Sequence, residues 1–405
     1  SLTPVIKWDS VNNKYVWAIA PLALTYTLAD KTTTYDGTTQ TLSSFYTSNP
    51  FTIPTGYNFL NLTSTDYKFQ KDGSDVTGYK DAGTYSNIKV ALNGTSATDK
   101  FLTISSSGNT DGKLTINKKD LTISAITANN KTYDGTTTAT LSNIGTLVGL
   151  VTGEDLVLNN PTSVIFSSKD VADGIVVTAT GYTIADKDSF KASNYNLIDT
   201  SKTTTANISK ADLTATLNDN SKTYDGTSYS GGNGITYNGF VNGETASLLN
   251  GTLNYSGTSQ GAKDAGNYII SGSGLTSNNY NISFVNGKLT INKKDLTISN
   301  ITANNKTYDG TTTATLSNIG TLVGLVTGED LVLNNPTSVI FSSKDVADGI
   351  VVTATGYTIA DKDSFKASNY NLIDTSKTTT ANIVASVNPT PNPTPNPTPN
   401  PTPNP

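Results

Sequence analysis

The sequence predicts an all-β protein, a tandem array of β-sandwich modules followed by a proline-rich tail. Three observations predict it. Residues 112–208 recur at 287–383, displaced by 175 positions, with a single difference, Ala125 against Asn300. A Tyr-Asp-Gly triplet returns four times, as Tyr35-Asp36-Gly37, Tyr133-Asp134-Gly135, Tyr224-Asp225-Gly226 and Tyr308-Asp309-Gly310, at intervals of 98, 91 and 84 residues. Between these marks, short stretches alternate apolar and polar residues with the period of a half-buried strand, and no helical periodicity runs beyond two turns. Repetition at such spacing is the signature of modular repeat architectures.

The composition points the same way. At roughly 100–150 residues per domain, 405 residues hold about three or four domains. Hydrophobic residues make up 35% of the chain, below the ~45–50% of compact globular proteins. Thr, Ser, Asn, Gly and Asp fill the difference, with enough β-branched residues and Tyr to favour strands over disorder. Many small cores behind Thr-covered strands suit this mixture better than one large core. Cys, Met, His and Arg are all absent, so every one of the 27 basic residues is Lys. Without Cys there are no disulfides and no thiolate chemistry. A chain exported unfolded gains from having no thiols to cross-link early, and lack of Met removes an oxidation liability. The net charge of −5 and the lack of Arg exclude the basic footprint of a nucleic-acid binder. No apolar run approaches the ~20 residues of a membrane span.

Along the chain, residues 1–19 read as the end of a preceding module. They lack the basic start and apolar run of a signal peptide, so the chain reads as a fragment of a longer protein. Residues 20–117, 118–209, 210–292 and 293–385 form four modules, each of the size of an immunoglobulin-like sandwich. A β-grasp arrangement is the alternative. The first and third modules share Lys80-Asp81-Ala82-Gly83 and Lys263-Asp264-Ala265-Gly266, whereas the second and fourth carry Ser167-Ser168-Lys169-Asp170-Val171-Ala172-Asp173-Gly174 and its copy from Ser342. Leu114-Thr115-Ile116, Leu121-Thr122-Ile123, Leu156-Val157-Leu158 and Val177-Thr178-Ala179-Thr180 are strand candidates. Asn93-Gly94, Asp173-Gly174, Asn242-Gly243 and Asn286-Gly287 supply the positive φ of hairpin turns.

The junctions are legible too. Leu114 and Ile116 occupy even positions, Leu121 and Ile123 odd ones, so a straight strand cannot keep all four on one face. The phase flips within Asn117-Lys118-Lys119-Asp120, which places a boundary there. Asn292-Lys293-Lys294-Asp295 repeats it and Ser209-Lys210-Ala211-Asp212 is a variant. Links this short, without Gly or Pro, predict stiffly held neighbours and an extended rod. From Asn388 to Pro405, proline at every second position forbids helix and sheet and favours polyproline II. At ~3.1 Å per residue the segment spans on the order of 55 Å. Residues 386–405 are thus a spacer. An SH3-type ligand is the competing reading, disfavoured by the lack of flanking basic residues.

The Tyr-Asp-Gly motif has a physical reading of its own. Asp-Gly makes a tight turn with Gly free to take positive φ, and the preceding Tyr can bury its ring beneath that turn while its hydroxyl reaches a backbone carbonyl, as tyrosine-corner residues do. A sugar-stacking Tyr is the sharper alternative. Lys-Thr-Tyr-Asp-Gly-Thr-Thr, the following Gly153-Glu154-Asp155-Leu156 and the closing Ser193-Asn194-Tyr195-Asn196-Leu197 resemble the YDG/MBG immunoglobulin-like repeats of bacterial filamentous-haemagglutinin-like surface adhesins. The resemblance covers residues 20–385 and implies a surface or secreted location and a structural or adhesive role. The first module departs most from it, lacking the Asn-Tyr-Asn element and any Gly-Glu step, so its late strands are expected to differ.

Catalysis is not expected. The usual bases and nucleophiles, His and Cys, are missing, and the only Glu residues are Glu154, Glu244 and Glu329. No Asp pair stands out for glycoside hydrolysis. No cofactor is implied. Asp72-Gly73-Ser74-Asp75 and Asn109-Thr110-Asp111-Gly112 faintly resemble calcium loops but do not continue into an EF-hand. Turn-forming Asp accounts for both, with calcium at module junctions as the competing reading. A Lys–Asn isopeptide needs a buried acid beside the pair, and the first module has no Glu. Asn-X-Ser/Thr triplets at Asn61, Asn93, Asn130, Asn207, Asn250, Asn281, Asn300 and Asn305 follow from a composition this rich in Asn, Ser and Thr.

The expected function is a non-enzymatic stalk segment of a cell-surface adhesin, projecting a binding domain from the surface. Two alternatives use the modules as binders. In one they engage host glycan or matrix protein multivalently, which predicts exposed aromatics repeated between modules, with Tyr182 and Tyr357 as candidates. In the other they pair homotypically through Thr-rich edges in a biofilm.

Overall fold

A computed structural model describes residues 4–57, 60–94 and 101–387. The tail from Asn388 lies outside the described residues. The chain divides into two compact units, Ser1–Lys210 and Ala211–Pro405. Among the described residues the one α-helix is the four-residue Leu42–Phe45, too short to cross a sheet as a β-grasp requires. The modules are instead two-sheet sandwiches, in agreement with the immunoglobulin-like reading. Among the described residues no helix is long and apolar enough to cross a membrane.

The first unit opens with a hairpin of Pro4–Asp9 and Lys14–Ile19, paired only with each other. The sandwiches that follow share one plan. In the second module, one sheet orders Leu147–Val148, Lys119–Ile123 and Tyr195–Leu197, and the other orders Lys131–Thr132, Ser201–Ser209, Ala172–Thr180 and Ser163–Phe166. The opening strand runs parallel to Tyr195–Leu197, and the strand just before Tyr-Asp-Gly runs parallel to the closing strand. In the second unit, the third module repeats the plan with Ala211–Leu217 beside Tyr280–Val285 and Asn220–Thr223 beside Gly287–Asn292. The fourth repeats it with Lys294–Ser299 beside Tyr370–Leu372 and Lys306–Thr307 beside Ser376–Val384. The first module keeps both parallel pairings but builds a five-stranded second sheet, adding Ser74–Val76 at its edge, and uses Leu102–Ile104 where the others use their Tyr-bearing strand. Its late strands therefore differ, as its missing Asn-Tyr-Asn element led us to expect.

This plan places each Tyr-Asp-Gly at the end where its module's closing strand leaves. The N–H of Tyr35, Tyr133, Tyr224 and Tyr308 donates to the carbonyl of Asn117, Ser209, Asn292 and Val384, each at 2.8–2.9 Å. The next module starts immediately. Strand Gly112–Asn117 ends one residue before Lys119–Ile123 begins, and Leu114, Ile116, Leu121 and Ile123 are all buried, so the change of phase is accommodated by a change of module. A single apolar cluster in the first unit contains Leu114, Ile116 and Tyr35 of the first module with Leu121, Leu156 and Tyr195 of the second. In the second unit, Tyr224, Leu289 and Ile291 share a cluster with Leu296, Leu331 and Tyr370. Within each unit the paired modules thus share a core rather than meeting at a wet linker.

Two Gly-containing pairs act differently from the turns expected of them. Gly174, at φ +65°, lies inside strand Ala172–Thr180, where the register against Ser201–Ser209 shifts, so Asp173-Gly174 makes a bulge. Gly287 begins a strand, and a Cβ there would lie 2.5 Å from the Leu217 carbonyl oxygen, so close backbone approach requires the glycine. Asn242 and Gly243 do take positive φ, as does Gly94. The two calcium-like segments serve the fold. Asp72-Gly73 turns the hairpin between Tyr67–Lys71 and Ser74–Val76, while Asp111 and Asn109 accept hydrogen bonds from the hydroxyl and the N–H of Tyr26.

Candidate functional site, a tyrosine–glutamate clasp between modules

Each Asp of the repeated triplet folds its own turn. Asp36, Asp134, Asp225 and Asp309 each accept a bond at 2.9 Å from the N–H two residues on, at Thr38, Thr136, Thr227 and Thr311. The lysine three residues before the Asp joins it in three modules, at 2.7 Å for Lys131, Lys222 and Lys306. These lysines, with the turn bonds, hold the Asp225 and Asp309 carboxyls at about 2, below the usual 3.8. The following Gly takes φ +79°, +76°, +75° and +76° in the four copies.

The tyrosine goes elsewhere than expected. The Tyr35 hydroxyl does not reach a backbone carbonyl. It donates to Glu154 Oε1 of the second module at 2.6 Å, while Tyr195 donates to Glu154 Oε2 at 2.7 Å and itself accepts from the Val151 N–H. The two rings meet edge-on, centroids 5.4 Å apart. The reason is topological: the motif sits at the exit end of its sandwich, so its nearest cover is the next module. The second unit repeats this geometry, with Tyr224 and Tyr370 donating to the two oxygens of Glu329 at 2.7 and 2.6 Å. A carboxylate has room for both bonds, and bonds to a charged acceptor are about twice as strong as neutral ones. The tyrosine-corner role falls instead to Tyr85 and Tyr268, whose hydroxyls bond the carbonyls of Asp81 and Asp264, four residues upstream, at 2.8 Å.

A second contact flanks the first. Asn194 of the second module accepts from the Ala82 N–H at 2.7 Å and donates to Asp81 at 3.0 Å, and Lys191 pairs with the same Asp81. Asn369, Ala265, Asp264 and Lys366 repeat this in the second unit. Asn194 and Asn369 are only 2% exposed, so their amides are fully committed. Lys191 first and Asn194 next hold the Asp81 carboxyl below its usual range. The Gly of the triplet closes the fit: a Cβ on Gly37 would lie 2.7 Å from Val151 Cγ1 and 3.1 Å from Glu154 Oε1.

Sequence reasoning missed Glu154 and Glu329 as the partners. A signal was available. The chain has three Glu residues, each preceded by Gly and each in a module that follows another, and each such module also carries the Asn-Tyr pair that the first module lacks. In the third module Glu244 accepts from Tyr280 at 2.6 Å.

The YDG domain model matches residues 117–206 and 292–381, and the MBG domain (YGX type) model matches 213–290. The chain is a YDG/MBG repeat protein. No curated protein matches this YDG/MBG chain. Among solved structures it is similar to N-cadherin EC1–4 of Drosophila, at 11% identity over 89% of this chain and 99% of that one, TM-score 0.21. It is also similar to a protocadherin gammaB7 EC3–6 cis-dimer, at 12% identity over 94% and 99%, TM-score 0.22.

The aromatic positions expected to be exposed for sugar stacking are not. Tyr182 and Tyr357 are 3% and 2% exposed and pack in the distal cores of their modules, Tyr182 with Ile123, Ile126 and Ala179. The preceding strand buries Ile175, Val177 and Ala179, a phase that would turn position 182 outward, but Gly181 at φ +80° and Gly356 at φ +78° break the alternation and turn the tyrosines in. Their hydroxyls meet no partner among the described residues. A buried unpaired hydroxyl costs about 1–3 kcal/mol, so Tyr182→Phe is expected to raise stability by about 1 kcal/mol, read as a higher calorimetric midpoint.

The clasp also has a pH signature. Burial first, then the bond to Glu154, pushes the Tyr195 hydroxyl up to about 12 from 10.0, and Tyr370 shifts likewise. A group whose folded pKa is raised contributes stability that is complete below its unfolded value and lost as pH rises through the folded one. The Tyr195 and Tyr370 bonds are therefore expected to hold below pH 10 and to be lost between about 10 and 12, before those of Tyr35 and Tyr224, which burial and the same carboxylates raise further. Tyrosinate absorbance near 295 nm should rise in that window together with exchange at the Val151 amide. A Tyr195 that ionises at its ordinary value would contradict the buried bond.

Proposed function

We propose that this chain is a non-catalytic stalk segment of a cell-surface adhesin, holding a binding domain, located elsewhere in the parent protein, away from the surface. YDG and MBG modules are typical of extracellular surface proteins, which supports the location. The observation that carries the reading is the clasp itself. In each unit the same Tyr–Glu–Tyr bridge, Asn lock and shared core join two sandwiches end to end. Side chains spent on fixing one module against the next suit a spacer that must keep its length, and recent duplication is how such a spacer grows.

Small-angle X-ray scattering on the chain tests this. Four sandwiches of ~40 Å each would give a rod on the order of 150 Å, independent of concentration and unaltered by calcium. A compact particle would overturn the stalk. Stiffening by calcium would bring junction cations into the account, and growth with concentration would favour homotypic adhesion.

A further inference from the structure

The fourth module ends in the same turn as the first and third, yet nothing among the described residues covers it. Tyr308 is 41% exposed, whereas Tyr35 and Tyr224 are each 3% exposed. A Cβ on Gly310 would meet nothing within 4 Å, whereas Val151 and Glu154 crowd Gly37, and Val326 and Glu329 crowd Gly226. The turn is nonetheless preformed, with Asp309 bonded to Thr311 and Lys306 as Asp225 is to Thr227 and Lys222. Two apolar side chains near the same end, Val346 and Val384, are 50% and 46% exposed. Lys344, 56% exposed, is paired only loosely with Asp345 at 3.8 Å.

We propose that this end of the fourth module is a docking surface for the Gly-Glu end of another YDG- or MBG-type module. The occupant follows from the two covered copies of the same turn. Each is filled by one Val methyl over the glycine and one Glu carboxylate on the tyrosine hydroxyl. Tyr308 offers that hydroxyl and Gly310 leaves that space. The type of contact is therefore specified in advance, and an exposed aromatic-apolar patch of this kind marks an interaction site. The inference rests on the clasp that supports the stalk reading, and extends it to a partner outside residues 1–385.

The test appends residues 210–405 after Val384, so that a further module with Glu244 and Tyr280 follows the fourth as the third follows the second. Nitration by tetranitromethane reports hydroxyl access. An exposed Val323→Ile substitution in the internal copy (Val323 is 48% exposed) separates its Tyr308 peptide by mass from the otherwise identical one bearing Tyr133. In the parent chain Tyr308 is expected to nitrate readily, with Tyr35 and Tyr224 protected. In the extended chain internal Tyr308 should slow by about tenfold or more, and Glu244→Ala in the appended module should restore its rate. Tyr308 protected already in the parent chain, or equally reactive in both, would overturn the docking surface while leaving the stalk intact. Tyr35 and Tyr224 reacting as fast as Tyr308 would instead remove the clasp on which both readings depend.

Discussion

Glu154→Ala is expected to loosen the joint between the first two modules more than any other single change at that site. It removes the acceptor of two buried phenols at once. Hydrogen bonds to charged groups contribute about 1.5–3 kcal/mol each. Glu154 is half-buried, which tempers the sum, so a loss of about 2–3 kcal/mol is expected. At about 1.4 kcal/mol per tenfold, hydrogen exchange in residues 150–156 should accelerate by roughly 30- to 140-fold. Glu154→Gln should lose about half as much. Its amide oxygen can accept from one tyrosine, but Tyr195 already accepts from the Val151 N–H and cannot use a second donor in place of an acceptor. Exchange in the second unit should be unaltered, and Glu329→Ala should produce the mirror result there. No change at either junction would mean that the shared core alone holds the modules together.

A matched pair of glycine substitutions separates local strain from module docking. Gly37 and Gly310 have nearly the same backbone, φ +79° and +76°. An alanine in the left-handed region costs about 1–2 kcal/mol, so both variants bear that term. Only at Gly37 does the new methyl run into another module, 2.7 Å from Val151 Cγ1. Displacing a packed side chain adds about 1–3 kcal/mol. Gly37→Ala is therefore expected to open the junction by that additional amount, while Gly310→Ala disturbs only its own turn. Exchange at the Val151 and Glu154 amides reads the difference, and equal effects from the two variants would sink the claim that the glycine is a docking surface.

The turn itself was legible. Asp-Gly after a short Lys-Thr strand specifies an Asp side chain bonded two residues on and a positive-φ glycine, because both requirements are local. Leu114, Ile116, Leu121 and Ile123 were legible as a phase flip, because strand periodicity is a property of neighbouring residues. Tyr182 and Tyr357 were misjudged because exposure depends on which face the chain presents, and the positive-φ Gly181 and Gly356 just before them reset that face. Glu154 was seen in a Gly-Glu turn, yet its partner lies 119 positions earlier in the chain, a separation that no local pattern reports.

What the sequence by itself determined is the four-fold repetition, the all-β character and the Asp-Gly turns of the repeated triplet. All of these follow from periodicity, turn chemistry and duplication, which act over a few residues or by comparison of the chain with itself. What only the tertiary structure decided is where the motif tyrosines point. Parallel pairing of the strand before each motif with its module's closing strand brings Tyr35 and Tyr224 to an exit face, where the following sandwich supplies a carboxylate. That pairing joins residues 83 and 69 positions apart in the two units, and its outcome depends on the shared core that forms when two modules meet.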